Sequence, residues 1–217
     1  MRKKYNQIGR SMVEMLGVLA IIGVLSVGGI TGYSKAMMKY KLNKFSDGFN
    51  QLLNEAIRLE PILESSISLS TSIRASIFET LNLIPDGMEY KSNYIYDVFN
   101  NQIDYYFGYH NEGRTLENYF GMLLSFDRNR ITQEKSEVCH MILLAAKENS
   151  ENIYTIATRN NTGTSYTSSK LYGDKLCAQR PDLCLKSATI DDIDNICYSC
   201  LSENSCMLYL HLSVKNF

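Results

Sequence analysis

The chain opens with a hydrophobic run that has no period. Residues 15–30, MLGVLAIIGVLSVGGI, contain one polar side chain, Ser26. A run that is apolar on every side approaches the roughly 20 residues that carry a helix across a bilayer. Met12 and Val13 extend it, which sets Glu14 inside the apolar segment. A carboxylate at the centre of a membrane helix costs about 2.5–3.5 kcal/mol on insertion scales, and even near an end it calls for a cationic partner. Further on a period appears. Met38, Leu42, Phe45, Phe49, Leu52, Ala56 and Leu59 recur at alternating intervals of four and three, with Lys41, Lys44, Asp47, Asn50 and Glu55 off the stripe. This spacing predicts an amphipathic helix. One helix over about residues 11–60 is expected, about 75 Å long at 1.5 Å per residue. Pro61 is expected to end or kink it. The stripe also suits a coiled-coil seam, although Phe45 and Phe49 are bulky for a dimer.

After the proline, Ile73, Ile77, Leu81 and Ile84 are spaced for one or two short helices over 62–84, and Pro85-Asp86-Gly87 reads as a turn. Residues 93–101 are aromatic without a period and read as irregular. The period then becomes two. Ile103, Tyr105, Phe107 and Tyr109, then Phe120, Met122, Leu124 and Phe126, alternate with their neighbours across a polar loop at 110–117. This predicts an antiparallel hairpin. Thr132 is placed to cap a helix to about Glu148, with Val138, Met141, Ile142 and Ala145 on its inner face. A short strand is expected at 153–158, and a Ser/Thr/Asn-rich exposed loop at 160–170. Leu208, Leu210, Leu212 and Val214 alternate strictly, giving a last strand. The predicted class is α+β: a long N-terminal helix, transmembrane then amphipathic, packed on an antiparallel sheet head with a disulfide-rich C-terminal region.

The apolar run follows a basic leader, MRKKYNQI. Cleavage after Gly9 would give Arg10 a new α-amino group, with Glu14 one helical turn away. A neighbouring helix staggered along the same axis could bring its amine to this carboxylate, and the pair would bury no net charge. Gly9, a mature first residue, and Glu14 five residues after the Gly resemble the cleavage and methylation segment of type IV pilins and type II secretion pseudopilins. The motif-level match covers about residues 9–40.

The resemblance implies removal of leader 1–9 by prepilin peptidase on the cytoplasmic side and N-methylation of Arg10. It implies that Glu14 neutralises a neighbour's amine during assembly. It divides the chain into an assembly helix at 10–33, an amphipathic half at 34–61 and a head at 62–217. The partners it implies are copies of the chain or other pilins, the inner membrane, prepilin peptidase and the pilus or secretion assembly machinery. The subunit would wait in the bacterial inner membrane with its head outside the cytoplasm, then enter a pilus or periplasmic pseudopilus. Two positions depart from the family pattern: Arg10 stands where an apolar residue is usual, and Thr31 where many pilins have Pro. Gly23, Gly28, Gly29 and Gly32 each cost roughly 1 kcal/mol of helix stability against Ala, so the helix is expected to loosen around 28–29 in a filament. Two other readings of the segment remain. One is a secretory signal peptide cut near residues 26–28. The other is a single-pass anchor for a cysteine-rich binding module that does not polymerise.

Composition changes the picture in one respect. Of six cysteines, Cys139, Cys177, Cys184, Cys197, Cys200 and Cys206, five lie in the last 41 residues. An even number in a loop-rich tail reads as a disulfide framework in an oxidising compartment, with fifteen connectivities open. Lysines and arginines flank both ends of the apolar run equally, so charge does not set its orientation. A net charge of −1 gives no electrostatic case for nucleic acid.

Four places offer rival chemistry. Cys177, Cys184, Cys197 and Cys200 are four thiols of the kind that bind zinc, but the first pair is spaced too widely. Cys197 and Cys200 form a CxxC without the βαβ context of a redox motif. Asp191, Asp192 and Asp194 read as a solvated acidic loop, since the calcium-loop spacing is missing. His110, His140 and His211 stand in no ligating pattern. No catalytic, cofactor or metal site is expected, and the chain is read as a structural protein rather than an enzyme.

Overall fold

The computed structural model describes residues 12–66, 75–112, 115–126, 132–161, 166–167, 169–179, 181–201 and 206–216. The chain divides into two compact units, the first ending at Tyr40 and the second running from Lys41 to Phe217. One continuous helix, α1 (Met12–Ser66), contributes to both.

In the second unit α1 buries the predicted stripe from Phe45 to Leu59, with Leu53 and Leu63 added to it and Leu42 half-buried. Phe45, Phe49, Leu52, Leu53, Ala56, Leu59 and Leu63 are each at most 5% exposed. The stripe is covered by the chain's own head, so a coiled-coil partner is not what buries it. Pro61 does not end the helix, contrary to the expectation from sequence; α1 continues through it to Ser66. Pro61 and Ile62 face outward while Leu59 and Leu63 stay buried on either side. Burying two leucines at about 1.5–3 kcal/mol each offsets the roughly 3 kcal/mol cost of a helical proline. Of the short helices expected at 62–84, the described residues contain α2 (Ser76–Thr80) alone. Its buried residue is Phe78, while Leu81 is exposed; residues 67–74, including Ile73, lie outside the described residues.

The turn at Pro85 forms as expected. Met88 N–H donates to Pro85 O at 3.0 Å, and Gly87 takes the positive φ of 87° that the third position of a type II turn requires. The segment read as irregular instead holds the second strand of a hairpin, β1 (Glu89–Lys91) and β2 (Tyr94–Tyr96). Ser92 and Asn93 both have positive φ, 51° and 70°, the mark of a two-residue type I′ turn. Strands of three residues are too short to show a period in sequence. The next loop is closed by Asp97, 6% exposed, which accepts 2.8 Å bonds from the backbone N–H of Phe99 and of Asn101 and from the Asn101 amide. One carboxylate thus satisfies three donors that burial would otherwise leave unpaired.

The long hairpin is β3 (Gln102–Glu112) and β4 (Thr115–Ser125). Its register pairs Ile103 with Leu124 and Tyr105 with Met122 and continues to Glu112 opposite Thr115. The loop expected at 110–117 is therefore mostly strand, because backbone pairing tolerates polar side chains where one face meets water. Helix α3 (Thr132–Glu148) matches its predicted bounds. It buries Val138, Cys139, Ile142, Leu143, Ala145 and Ala146, and Met141 is only half-buried. β5 (Thr155–Asn161) follows and runs into the stretch expected to be a loop, which also holds β6 (Tyr166–Thr167) and the first residue of β7 (Lys170–Tyr172). Helices α4 (Asp174–Cys177) and α5 (Ile190–Leu201) precede β8 (Cys206–Asn216).

Among the described residues the strands form one antiparallel sheet, β1-β2-β3-β4-β8-β5-β6, with β7 also paired to β5. The C-terminal strand lies in the interior of the sheet, between β4 and β5. Register puts Ile103, Tyr105, Met122, Leu124, Leu208, Leu210 and Ile156 on one face, all buried. Phe78 stacks on Tyr105 at 4.0 Å and Tyr105 on Phe120 at 6.0 Å, and the Tyr105 hydroxyl donates to Leu52 O at 3.4 Å. Burial, with the charges of Asp104 and Glu55 nearby, holds the Tyr105 phenol well above its ordinary pKa. The opposite face carries Tyr106, Tyr209 and His211, half-buried in edge contacts of 6.0 and 6.2 Å.

Candidate functional site

The first unit is the candidate site. Along α1 from Met12 to Tyr33 the large apolar side chains point outward in every direction: Leu16, Ile21, Ile22, Val24, Leu25, Val27 and Ile30 are all more than half exposed. An apolar surface this continuous on a soluble protein would be a binding or aggregation site. This segment is also long and apolar enough to cross a membrane. Its polar groups are held internally where they can be. Thr31 Oγ1 donates to Val27 O at 2.8 Å and Ser34 Oγ to Ile30 O at 2.9 Å. Bonds of this type satisfy a hydroxyl inside hydrocarbon and soften the helix where they form.

Glu14 is the exception. It is the one charged residue between Met12 and Ser34, lies in the first turn of α1 and is exposed. The helix dipole favours a carboxylate there but does not supply a counter-charge for one placed in lipid. Gly9 and Arg10, the expected cleavage pair, lie outside the described residues.

The glycines of the segment have no explanation within the chain. A Cβ built on Gly17, Gly23, Gly28, Gly29 or Gly32 meets nothing within 4 Å. Two glycines of the head do have a reason nearby: at Gly48 a Cβ would meet Met88 Cε at 2.8 Å, and at Gly121 Leu210 O at 2.9 Å.

No family model matches this sequence, and no match is found among curated proteins or solved structures. The α+β architecture, with its apolar N-terminal helix, antiparallel sheet and C-terminal disulfides, is consistent with a pilin-like fold in general.

The six cysteines form three bridges: Cys139–Cys197, Cys177–Cys184 and Cys200–Cys206. The first joins α3 to α5 across 58 residues, and the others close short loops of the tail. Cys197 and Cys200 face different partners although they share a helix, so the CxxC is not a dithiol pair. The four thiolates weighed for zinc are all oxidised here. Asp174 lies beside Cys177 and Cys184, but disulfide sulfurs are not thiolate ligands.

The acidic cluster read as a loop is helical: Asp191 and Asp192 are in the first turn of α5. Thr189 and Asp192 form a capping box there. Asp192 Oδ2 accepts from Thr189 N at 2.8 Å and from Thr189 Oγ1 at 2.7 Å, and Asp192 N donates back to Thr189 Oγ1 at 3.2 Å. The signal was present in sequence as Thr189-Ile190-Asp191-Asp192. Asp194 contacts His140 of α3. Of the other histidines, His211 of β8 meets Thr155 Oγ1 at 2.7 Å; the side chain of His110 lies outside the described residues.

The bonds from Thr189 hold the Asp192 carboxyl below its ordinary pKa of 3.8. A depressed pKa means that the folded form prefers the carboxylate, so its stabilisation is present above about pH 4 and is lost as pH falls through the folded value. Asp192→Ala should therefore lower the melting temperature at pH 6 and leave it unchanged relative to the parent near pH 2. A constant difference across that range, read by circular dichroism, would refute the capping role.

Proposed function

We propose that this chain is a structural subunit of a type IV pilus or a type II secretion-like pseudopilus rather than an enzyme. Its leader is removed after Gly9 by prepilin peptidase, and Arg10 becomes the N-methylated first residue. The helix from Arg10 to Tyr33 resides in the inner membrane and then exchanges lipid for the helices of neighbouring subunits. Glu14 sets the axial register by pairing with the Arg10 amine of an adjacent copy or another pilin. The disulfide-stapled head faces the extracytoplasmic side.

The observation that carries this reading is a helix apolar all round with a single exposed carboxylate in its first turn. The leader resemblance supplies a cation for this carboxylate, which has none within a turn of it among the described residues. The three disulfides support an oxidising location for the head.

The deciding experiment is mass spectrometry of the mature N-terminus, on protein purified from its own membranes. A chain beginning at Arg10, about 14 Da heavier if methylated, is expected. A chain beginning at Met1 would make it an anchored module that does not polymerise, and a start near Gly29 would make it a secreted soluble domain.

A further inference from the structure

Where α1 leaves the apolar run, its composition changes within two turns. Tyr33, Met37 and Tyr40 recur at intervals of four and three, on one face, and the two tyrosines are 67% and 58% exposed. Lys35 and Lys39, also exposed, are four apart on the other side of the helix. Between Glu14 and Asp47 there is no acidic residue. Like charges at this spacing are neighbours on a helix and repel each other. Elsewhere on α1 the chain supplies the missing acid: Arg58 Nε donates to Glu55 at 2.8 Å. At Lys35 and Lys39 no residue within a turn on the helix can do the same.

The distances agree with a membrane boundary. From Glu14 to Tyr33 the helix rises about 29 Å at 1.5 Å per residue, which matches a hydrocarbon core about 30 Å thick. Exposed tyrosines then fall at the headgroup level, where aromatic rings gather. Lys35 and Lys39, about 3 and 9 Å further along the axis at 1.5 Å per residue, reach the phosphates, with their methylene stems against the interface.

We propose that Tyr33, Lys35, Lys39 and Tyr40 form a collar that binds anionic phospholipid headgroups, a phosphodiester bridging the two ammonium groups. This rests on reading α1 as a membrane-spanning helix. It gives the waiting subunit a defined depth, and it means that extraction into a filament must strip bound anionic lipid from the collar.

The chain has no Trp, so Tyr33→Trp introduces a single fluorophore at the collar. The full-length variant is reconstituted in vesicles holding equal fractions of phosphatidylglycerol and phosphatidylcholine, with one or the other brominated on its acyl chains. Brominated phosphatidylglycerol should quench more strongly, with a relative binding constant of up to about fivefold per lysine at low salt, falling as salt is raised. Adding Lys35→Gln and Lys39→Gln should bring the ratio to about one, while Lys35→Arg with Lys39→Arg should keep it. Equal quenching by both lipids, or a preference that survives the double Gln change, would overturn the collar and leave the membrane helix standing. No quenching by either lipid would overturn the membrane reading itself, and the collar with it.

Discussion

Glu14→Gln should leave the subunit inserted and cut at its leader but yield no filaments. The amide keeps the size and shape of the side chain but loses the charge, and one acceptor oxygen becomes a donor NH2. In the proposed assembly the incoming Arg10 amine would then be buried without its counter-ion. Removing one partner of a buried pair costs about 3–5 kcal/mol. At 1.4 kcal/mol per decade that weakens each addition at least about a hundredfold. A filament repeats the contact at every subunit, so the loss applies to each step of growth. Electron microscopy of sheared surface filaments, beside a blot of membranes for the processed chain, reads both halves of the expectation. Normal filaments from this variant would refute the register mechanism, and loss of processing would move Glu14 to a role in recognition by the peptidase. Glu14→Asp, charged but one methylene shorter, should assemble partially.

Gly173→Ala should be the most damaging single-methyl change in the head. Gly173 sits between β7 and α4 with φ −69°, so its backbone angle is ordinary and strain is not the issue. Space is. Its N–H donates to Tyr154 O at 2.9 Å, and the next residue's N–H donates to Ser150 O at 2.9 Å, which lays this backbone directly on the loop after α3. A Cβ would stand 1.6 Å from Ile153 O and 2.7 Å from Ser150 O. Backbone cannot rotate away as a side chain can, so one or both of these bonds must break. The cost should reach about 3 kcal/mol or more, the upper end for overpacking. In a head of this size each kcal/mol moves the melting temperature by about 2–4 °C, so a drop of roughly 6–12 °C is expected for the chain in detergent. Gly48→Ala is the control: its Cβ would meet the mobile end of Met88, and the shift should stay within about 3 °C. Equal effects from the two substitutions would show that backbone contact is not what selects glycine at position 173.

Long elements with a sustained period were legible before any coordinates. The stripe from Phe45 to Leu59, the alternation from Ile103 to Phe126, α3 and the last strand each repeat often enough for burial on one face to impose a pattern. Short elements were not. β1 and β2 have three residues each, and β6 has two. What holds them is ladder pairing with the next strand and, between β1 and β2, the positive φ of Ser92 and Asn93, neither of which a run of two or three residues records. The capping box at Thr189 was missed for a different reason: its carboxylates were weighed as metal ligands instead of as helix starters.

The candidate site divides in the same way. That residues 15–30 are apolar without a period, that Glu14 is the one charge between Met12 and Ser34 and that Gly9 stands five residues before it are facts of local sequence. They need no fold to state, because a membrane helix satisfies its backbone by itself. The pairing of the cysteines, the seat of β8 between β4 and β5, the passage of α1 through Pro61 and the contact that forbids a side chain at Gly173 were decided by tertiary structure alone. Each joins residues far apart in the chain or sets a local penalty against burial gained elsewhere, and local composition carries no record of either.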